Sequence, residues 1–262
     1  MILLSFDIEE FDVPKENGIE ITLTEQIRVS KEGTLKILDC LQQNQIIATF
    51  FITAIFASHA PEIIQRILNE GHEVASHGFS HWTFELEDLK KSKDVLEQIS
   101  GITVYGYRQA RMKPVPERAV RDAGYVYNSS LNPTIIPGRY MNINVPRTYF
   151  IKEGVIQFPA SVTPLLRFPL FWLSYHHLPA AFYRWLCYNT YRHDGYLVIY
   201  FHPWEFYSLS DYPEFKIPYV IRRNSGEGMV ERLNDFICYF KKRGIEFGRF
   251  MDFIRKNNIS VS

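Results

Sequence analysis

The residues with the most chemistry in this chain are two histidines in the run Ser76-His77-Gly78-Phe79-Ser80-His81. Two imidazoles four positions apart, at or just ahead of a helix entry, project to one side about one turn apart. Both ring nitrogens then reach a single cation, and a carboxylate completes a site with an open coordination position, as in catalytic zinc centres. Taken alone, the pair reads more readily as two polar residues of a surface loop. Weight comes from the rest of the chain, where Asp7-Ile8-Glu9-Glu10, Arg108 and His202 all fall at or just past the ends of apolar runs. Along a strand, residues 7 and 9 point the same way, so both carboxylates can face one site. Glu10 competes with Glu9 for the role of ligand, and Arg111 competes with Arg108 as partner for an acid.

The elements that must position these residues alternate. Strand-like runs at 2–6, 46–52, 73–76, 104–107, 125–127, 155–158 and 196–201 are separated by helical patterns. Ser30 is a candidate cap for a helix carrying Leu35, Leu38 and Leu41. Pro61 suits the first turn of a helix presenting Ile63, Ile64 and Ile67, which Gly71 can close. Pro116 opens a short helix ending at Gly124, and a later one runs over 227–242. About seven strands alternating with helices predict parallel βαβ units in one domain spanning 1–262. In such barrels the chemistry sits at the carboxyl ends of the strands.

The chain has 262 residues, 46% hydrophobic and 15% aromatic, enough for one large domain. Lys plus Arg equals Asp plus Glu at 29 each, so no basic surface favours nucleic acid as a partner. Cys40, Cys187 and Cys238 are far apart in the chain and read as buried small hydrophobes, not as a disulfide frame or a thiolate metal site. The start, Met1-Ile2-Leu3-Leu4-Ser5-Phe6, enters a strand without a basic leader, so a cytoplasmic location is the expectation. The aromatic segment 168–191 is too interrupted by Pro169, Pro179 and Arg184 to span a bilayer. It is expected to pack on the core, with the alternative of an apolar rim making peripheral membrane contact.

Five short stretches, in order, resemble the motifs of the polysaccharide deacetylases of carbohydrate esterase family 4, the NodB-homology fold, in the branch associated with exopolysaccharide synthesis. They are Asp7-Ile8-Glu9, His77 to His81, Arg108-Gln109-Ala110, Tyr127-Asn128-Ser129-Ser130 and His202-Pro203-Trp204-Glu205, with Phe158-Pro159-Ala160-Ser161 as a further branch feature. The resemblance implies an α/β fold, a distorted (β/α)7 barrel of parallel strands, and one divalent metal ion, usually zinc. It implies Glu9, His77 and His81 as metal ligands, Asp7 as base, Arg108 holding Asp7, and His202 as general acid. Trp204 and Tyr107 are the expected substrate contacts. The chain departs from the family where Ala110 replaces a proline and where Asn128 replaces an aspartate that tunes the catalytic histidine. An amide cannot stabilise an imidazolium by charge, which predicts a lower pKa for His202 than is usual there. The implied activity is removal of N-acetyl or O-acetyl groups from a cell-envelope or exopolysaccharide sugar, with a lipid-linked precursor as one form of it. Two alternatives are an amidase or deformylase acting on a small substrate, and a non-catalytic glycan- or lipid-binding protein on a degenerate deacetylase scaffold.

Overall fold

The computed structural model describes residues 1–138 and 140–260. The strands are β1 (Ile2–Ile8), β2 (Thr49–Ile52), β3 (Glu73–Ser76), β4 (Gly106–Tyr107), β5 (Tyr127–Asn128), β6 (Ile135–Ile136), β7 (Tyr140–Met141), β8 (Phe150–Lys152), β9 (Val155–Gln157) and β10 (Leu197–Phe201). Eight form one curled sheet in the order β10-β1-β2-β3-β4-β5-β9-β8. All its pairings are parallel except β8 with β9, a hairpin turned at Glu153-Gly154. The expected barrel is therefore an α/β half-barrel of seven parallel strands plus one antiparallel edge strand. Past β9, the Ser161 N–H reaches the Val198 carbonyl at 2.9 Å and draws the two ends of the curl together.

Alternation along β1 sorts the core. Ile2, Leu4, Phe6 and Ile8 face the helices outside, whereas Leu3 joins Phe51, Tyr127, Phe158 and Val198 inside the curl. The C-terminal helix Phe250–Lys256 closes the lower mouth, with Phe250 stacked on Tyr127 at 5.1 Å and edge-on to Phe51. Gly106 is glycine because a Cβ there would lie 2.1 Å from the Tyr127 ring.

Several helix boundaries differ from the sequence reading. The first long helix is Leu23–Gln43, capped by Thr22, whose hydroxyl accepts the Glu25 N–H. Ser30 lies inside it and instead donates to the Glu9 carbonyl at 2.5 Å. Helix Pro61–Asn69 begins at its proline as expected, and Gly71 follows it at φ +81°. His77 to His81 is loop, and the next helix starts only at Asp88.

Candidate active site

The carboxyl ends of the parallel strands open into a cleft of about 320 Å³, lined among others by Asp7, Glu9, His77, His81 and His202. Asp7 ends the inward-facing row of β1, and Glu9 lies two residues on. Glu9 is fixed from two sides: Ser30 holds its backbone carbonyl, and the Trp204 indole N–H donates to Oε1 at 3.2 Å.

The histidine pair is built by a loop rather than by helical spacing. Gly78 takes φ +88°, which only glycine adopts cheaply. The carbonyls of Gly78 and Phe79 then accept the N–H groups of Ala54 and Ile55 at 3.0 Å, at the start of helix Ala54–His59. The two rings lie 5.9 Å apart and nearly parallel, at 19°. His77 Nδ1 faces the Arg108 carbonyl at 2.9 Å, and His81 Nδ1 faces the Asp12 carboxylate at 2.8 Å. Both partners are acceptors, so each Nδ1 carries the proton and each Nε2 is left as a ligand atom. The two Nε2 atoms lie 3.4 and 3.0 Å from Glu9 Oε2.

Glu9, His77 and His81 thus offer ligand atoms within 4.8 Å of one another. Glu9 Oε2 is buried without a hydrogen-bond partner, and two imidazoles with one carboxylate are the donor set a zinc-like ion takes. Burial works against ionising these groups, yet the Glu9 carboxyl is held well below its ordinary range by His81, His202 and His77. Burial likewise opposes the His81 cation, but the Glu9 and Asp12 carboxylates raise it to about 10. The cluster therefore attracts positive charge, and a metal ion would compete with that proton. Glu10, the competing ligand, is turned away: its Oε2 accepts the His81 backbone N–H, and burial raises its carboxyl.

Arg108 is completely buried. Its Nη1 donates to Asp7 Oδ1 at 2.5 Å and to Ser5 Oγ, and its other nitrogens donate to Ser129. The guanidinium also lies 4.0 Å over the Phe51 ring. Arg111, the alternative partner, pairs instead with Asp12 and Glu16 at the cleft mouth.

His202 is oriented from behind. Its Nδ1 lies 2.9 Å from Glu205 Oε1, and Glu205 Oε2 meets His176 Nε2 at 2.8 Å. His176 Nδ1 faces the Arg223 carbonyl at 2.8 Å, so this histidine donates from both nitrogens. Burial would lower the His202 imidazole, but the Glu9 and Glu205 carboxylates raise it overall. Asn128 does not reach His202; it bonds to Gln157 and Ser130. The carboxylate expected to be missing is thus supplied by Glu205, three residues from the histidine it serves. Trp204 stacks on His202 at 5.0 Å and 16°, and Trp172 meets both rings edge-on. Tyr107 is not a substrate contact: it is fully buried under Tyr125, and its hydroxyl bonds to Gln109.

Asp12, His176 and Trp172 were not singled out as site residues in the sequence. Their partners lie far away in the chain, and no spacing marks them.

This geometry defines a class: an α/β half-barrel with a His-His-carboxylate cluster able to hold a metal ion, an arginine-held aspartate and a carboxylate-backed histidine at its strand ends. Residues 2–127 match the family model described as polysaccharide deacetylase. The chain is 43% identical over 92 residues to a peptidoglycan-N-acetylglucosamine deacetylase of Bacillus cereus, covering 32% of this chain and 34% of that one. It is 30% identical over 118 residues to the peptidoglycan-N-acetylmuramic acid deacetylase PdaC of Bacillus subtilis, covering 40% and 24%. The chain thus spans about a third or less of the length of these curated relatives. Among solved structures, a candidate polysaccharide deacetylase from Mycobacterium smegmatis superposes with a TM-score of 0.68 at 18% identity, covering 98% of this chain and 88% of that one. PuuE allantoinase superposes at 0.64 and 14% identity, over 97% and 88%. At these identities the superpositions establish the fold alone.

Proposed function

We propose that this chain is a metal-dependent deacetylase that hydrolyses acetyl groups, N-linked in the first place and O-linked in the second, on an acetylated glycan. The observation that carries the reading is the convergence of Glu9, His77 and His81 in the same cleft as Asp7 and His202. A divalent ion held by the first three would supply Lewis acidity to the acetyl carbonyl and to water. Asp7, oriented by Arg108, takes the proton of the attacking water. His202, with Nδ1 tied to Glu205, donates from Nε2 to the leaving nitrogen. Trp204 keeps Glu9 in place and, with Trp172, excludes water around His202.

The motif sequences at 158–161 and 202–205 support an exopolysaccharide or lipid-linked sugar as substrate. The relatives' own peptidoglycan substrates are the neighbouring choice. A second reading, hydrolysis of a small amide, is favoured by the aromatic wall: Trp172 from the 168–191 segment narrows the cleft, whose volume suits one or two sugar units rather than a long groove. The test is acetate release from acetylated glycans, together with metal content. The wild type should hold about one zinc-like ion per chain, and the His77→Ala, His81→Ala double variant should lose both ion and hydrolysis. A double variant with full activity would remove this site from the reaction. Turnover of short acetylated sugars but not of polymers would decide between the two readings.

A further inference from the structure

Asp12 stands at the start of the short helix Val13–Glu16, where an aspartate ordinarily accepts a backbone N–H of the first turn. Here it makes no such bond, and it is buried in the cleft wall. One of its oxygens takes two donors: Oδ2 accepts from His81 Nδ1 at 2.8 Å and from Arg111 Nη2 at 3.1 Å. Oδ1 is buried without a hydrogen-bond partner among the described residues. The two histidines of the cluster are thus supported unequally, since His77 Nδ1 faces the neutral Arg108 carbonyl.

Arg111 reaches Asp12 from a strained turn. Arg111 and Met112 follow one another at φ +59° and +50°, a region that residues with a Cβ seldom enter. Both line the cleft. The N–H groups of Met112 and Lys113 donate to the carbonyls of Gln109 and Ala110, and the Gln109 N–H is fixed by Ser130 Oγ at 2.8 Å. The turn delivers the guanidinium to Asp12 and Glu16, acids 99 and 95 residues earlier in the chain. The guanidinium also lies 5.1 Å from the ring centroid of Trp82, the residue after His81. Backbone strain persists where the surroundings enforce it, and it clusters at functional positions.

We propose that Asp12 and Arg111 are positioning residues for the metal ligand His81 and act on it in opposite directions. A carboxylate behind the ring fixes the tautomer and makes the imidazole a stronger ligand. Arg111 draws on the same oxygen and brings a positive charge to the cleft mouth, so it limits that strengthening. The inference rests on the reading of Glu9, His77 and His81 as a metal centre, and not on the substrate.

The experiment measures the zinc and cobalt(II) affinity of the full chain by competition with a chelating dye, without turnover. Asp12→Asn keeps the shape and removes the charge; it should weaken binding about 10- to 100-fold and leave the circular dichroism of the metal-free protein unchanged. Arg111→Asn, whose side chain suits the left-handed turn, should bind the ions more tightly than the wild type, because Oδ2 then serves His81 alone. A merely structural loss would loosen the ion in both variants. Glu16→Gln removes the acid that Arg111 holds but His81 does not, and should change the affinity less than Asp12→Asn. Wild-type affinity in Asp12→Asn overturns the inference, as does an Arg111→Asn variant that binds more weakly. Equal losses in Asp12→Asn and Glu16→Gln would assign the effect to the general charge of the cleft and overturn it too. A wild type that takes up neither ion would overturn the metal centre itself, and this inference with it.

Discussion

Glu205 stands behind His202 with no other charged group between them, so its contribution can be read from the pH dependence of hydrolysis. His202 must be protonated to act as general acid, and burial alone would strip that proton at lower pH. The carboxylates of Glu9 and Glu205 outweigh burial and raise it. Glu205→Gln keeps the shape but removes the charge next to Nδ1. The alkaline limb of kcat/KM should then move to lower pH, with kcat reduced by roughly 10- to 100-fold. His176→Asn removes the donor on the far oxygen of Glu205, so Glu205 acts more strongly on His202 and the limb should move the other way, by less. A pH–rate profile that is unchanged in Glu205→Gln would remove the carboxylate from the catalytic line. At this scale the five motifs and most of their residues are legible in the sequence, because each sits on a short apolar run that ends at the cleft. Asp12 and His176 are not legible. They meet His81 and Glu205 across 69 and 29 residues, and nothing in local spacing records such a meeting.

The His-Pro-Trp-Glu segment is held in place by an element that does not line the cleft. Helix Leu23–Gln43 passes so close to the turn Pro203–Phe206 that a Cβ on Gly33 would lie 1.9 Å from the Pro203 carbonyl oxygen. Helix propensity alone favours Ala over Gly by about 1 kcal/mol. The clash is with backbone, which cannot rotate away, and overpacking of this kind costs about 1–3 kcal/mol or more. Gly33→Ala should therefore lower Tm, and should lower kcat further than the stability loss explains, since Trp204 and Glu205 move with Pro203. An unchanged or raised Tm would contradict the close approach. The same helix shows where local sequence signals mislead. Ser30 has the chemistry of a cap, but Thr22 caps the helix, and the Ser30 hydroxyl is taken by Glu9. The short strands β4 and β5 are likewise narrower than their apolar runs, because pairing, which sequence does not display, sets their ends. Four-residue spacing suggested a helical His77–His81 pair; the left-handed Gly78 and two carbonyls held by Ala54 and Ile55 achieve the convergence instead.

The molecule as a whole is a curled sheet with the cleft at one mouth and an aromatic plug at the other, and its acid stability should be governed partly by the plugged end. Alternating apolar runs made the seven parallel strands legible. The antiparallel edge strand β8 was not, because it is three mostly exposed residues closed by a tight hairpin. Near the plugged mouth, His72 precedes β3 and is almost entirely buried beside Phe50, with ring centroids 5.1 Å apart. Its Nδ1 accepts the Ala48 backbone N–H at 3.2 Å, which requires that nitrogen to be unprotonated. Burial pushes the imidazole down to about 4, against an ordinary value of about 6.5. A depressed folded-state pKa means the unfolded chain binds the proton first. The stabilisation is therefore complete above about pH 6.5 and is lost as pH falls toward 4. The loss from this site should be on the order of 2–3 kcal/mol. Urea unfolding of the wild type and of His72→Gln at several pH values across that window isolates it, because the carboxylates and the cleft histidines titrate alike in both proteins. The wild type should lose stability more steeply than the variant, whose amide oxygen can still accept the Ala48 N–H and cannot titrate. Parallel curves would mean that His72 keeps an ordinary proton affinity in the folded chain, and that the plugged mouth admits water to its ring.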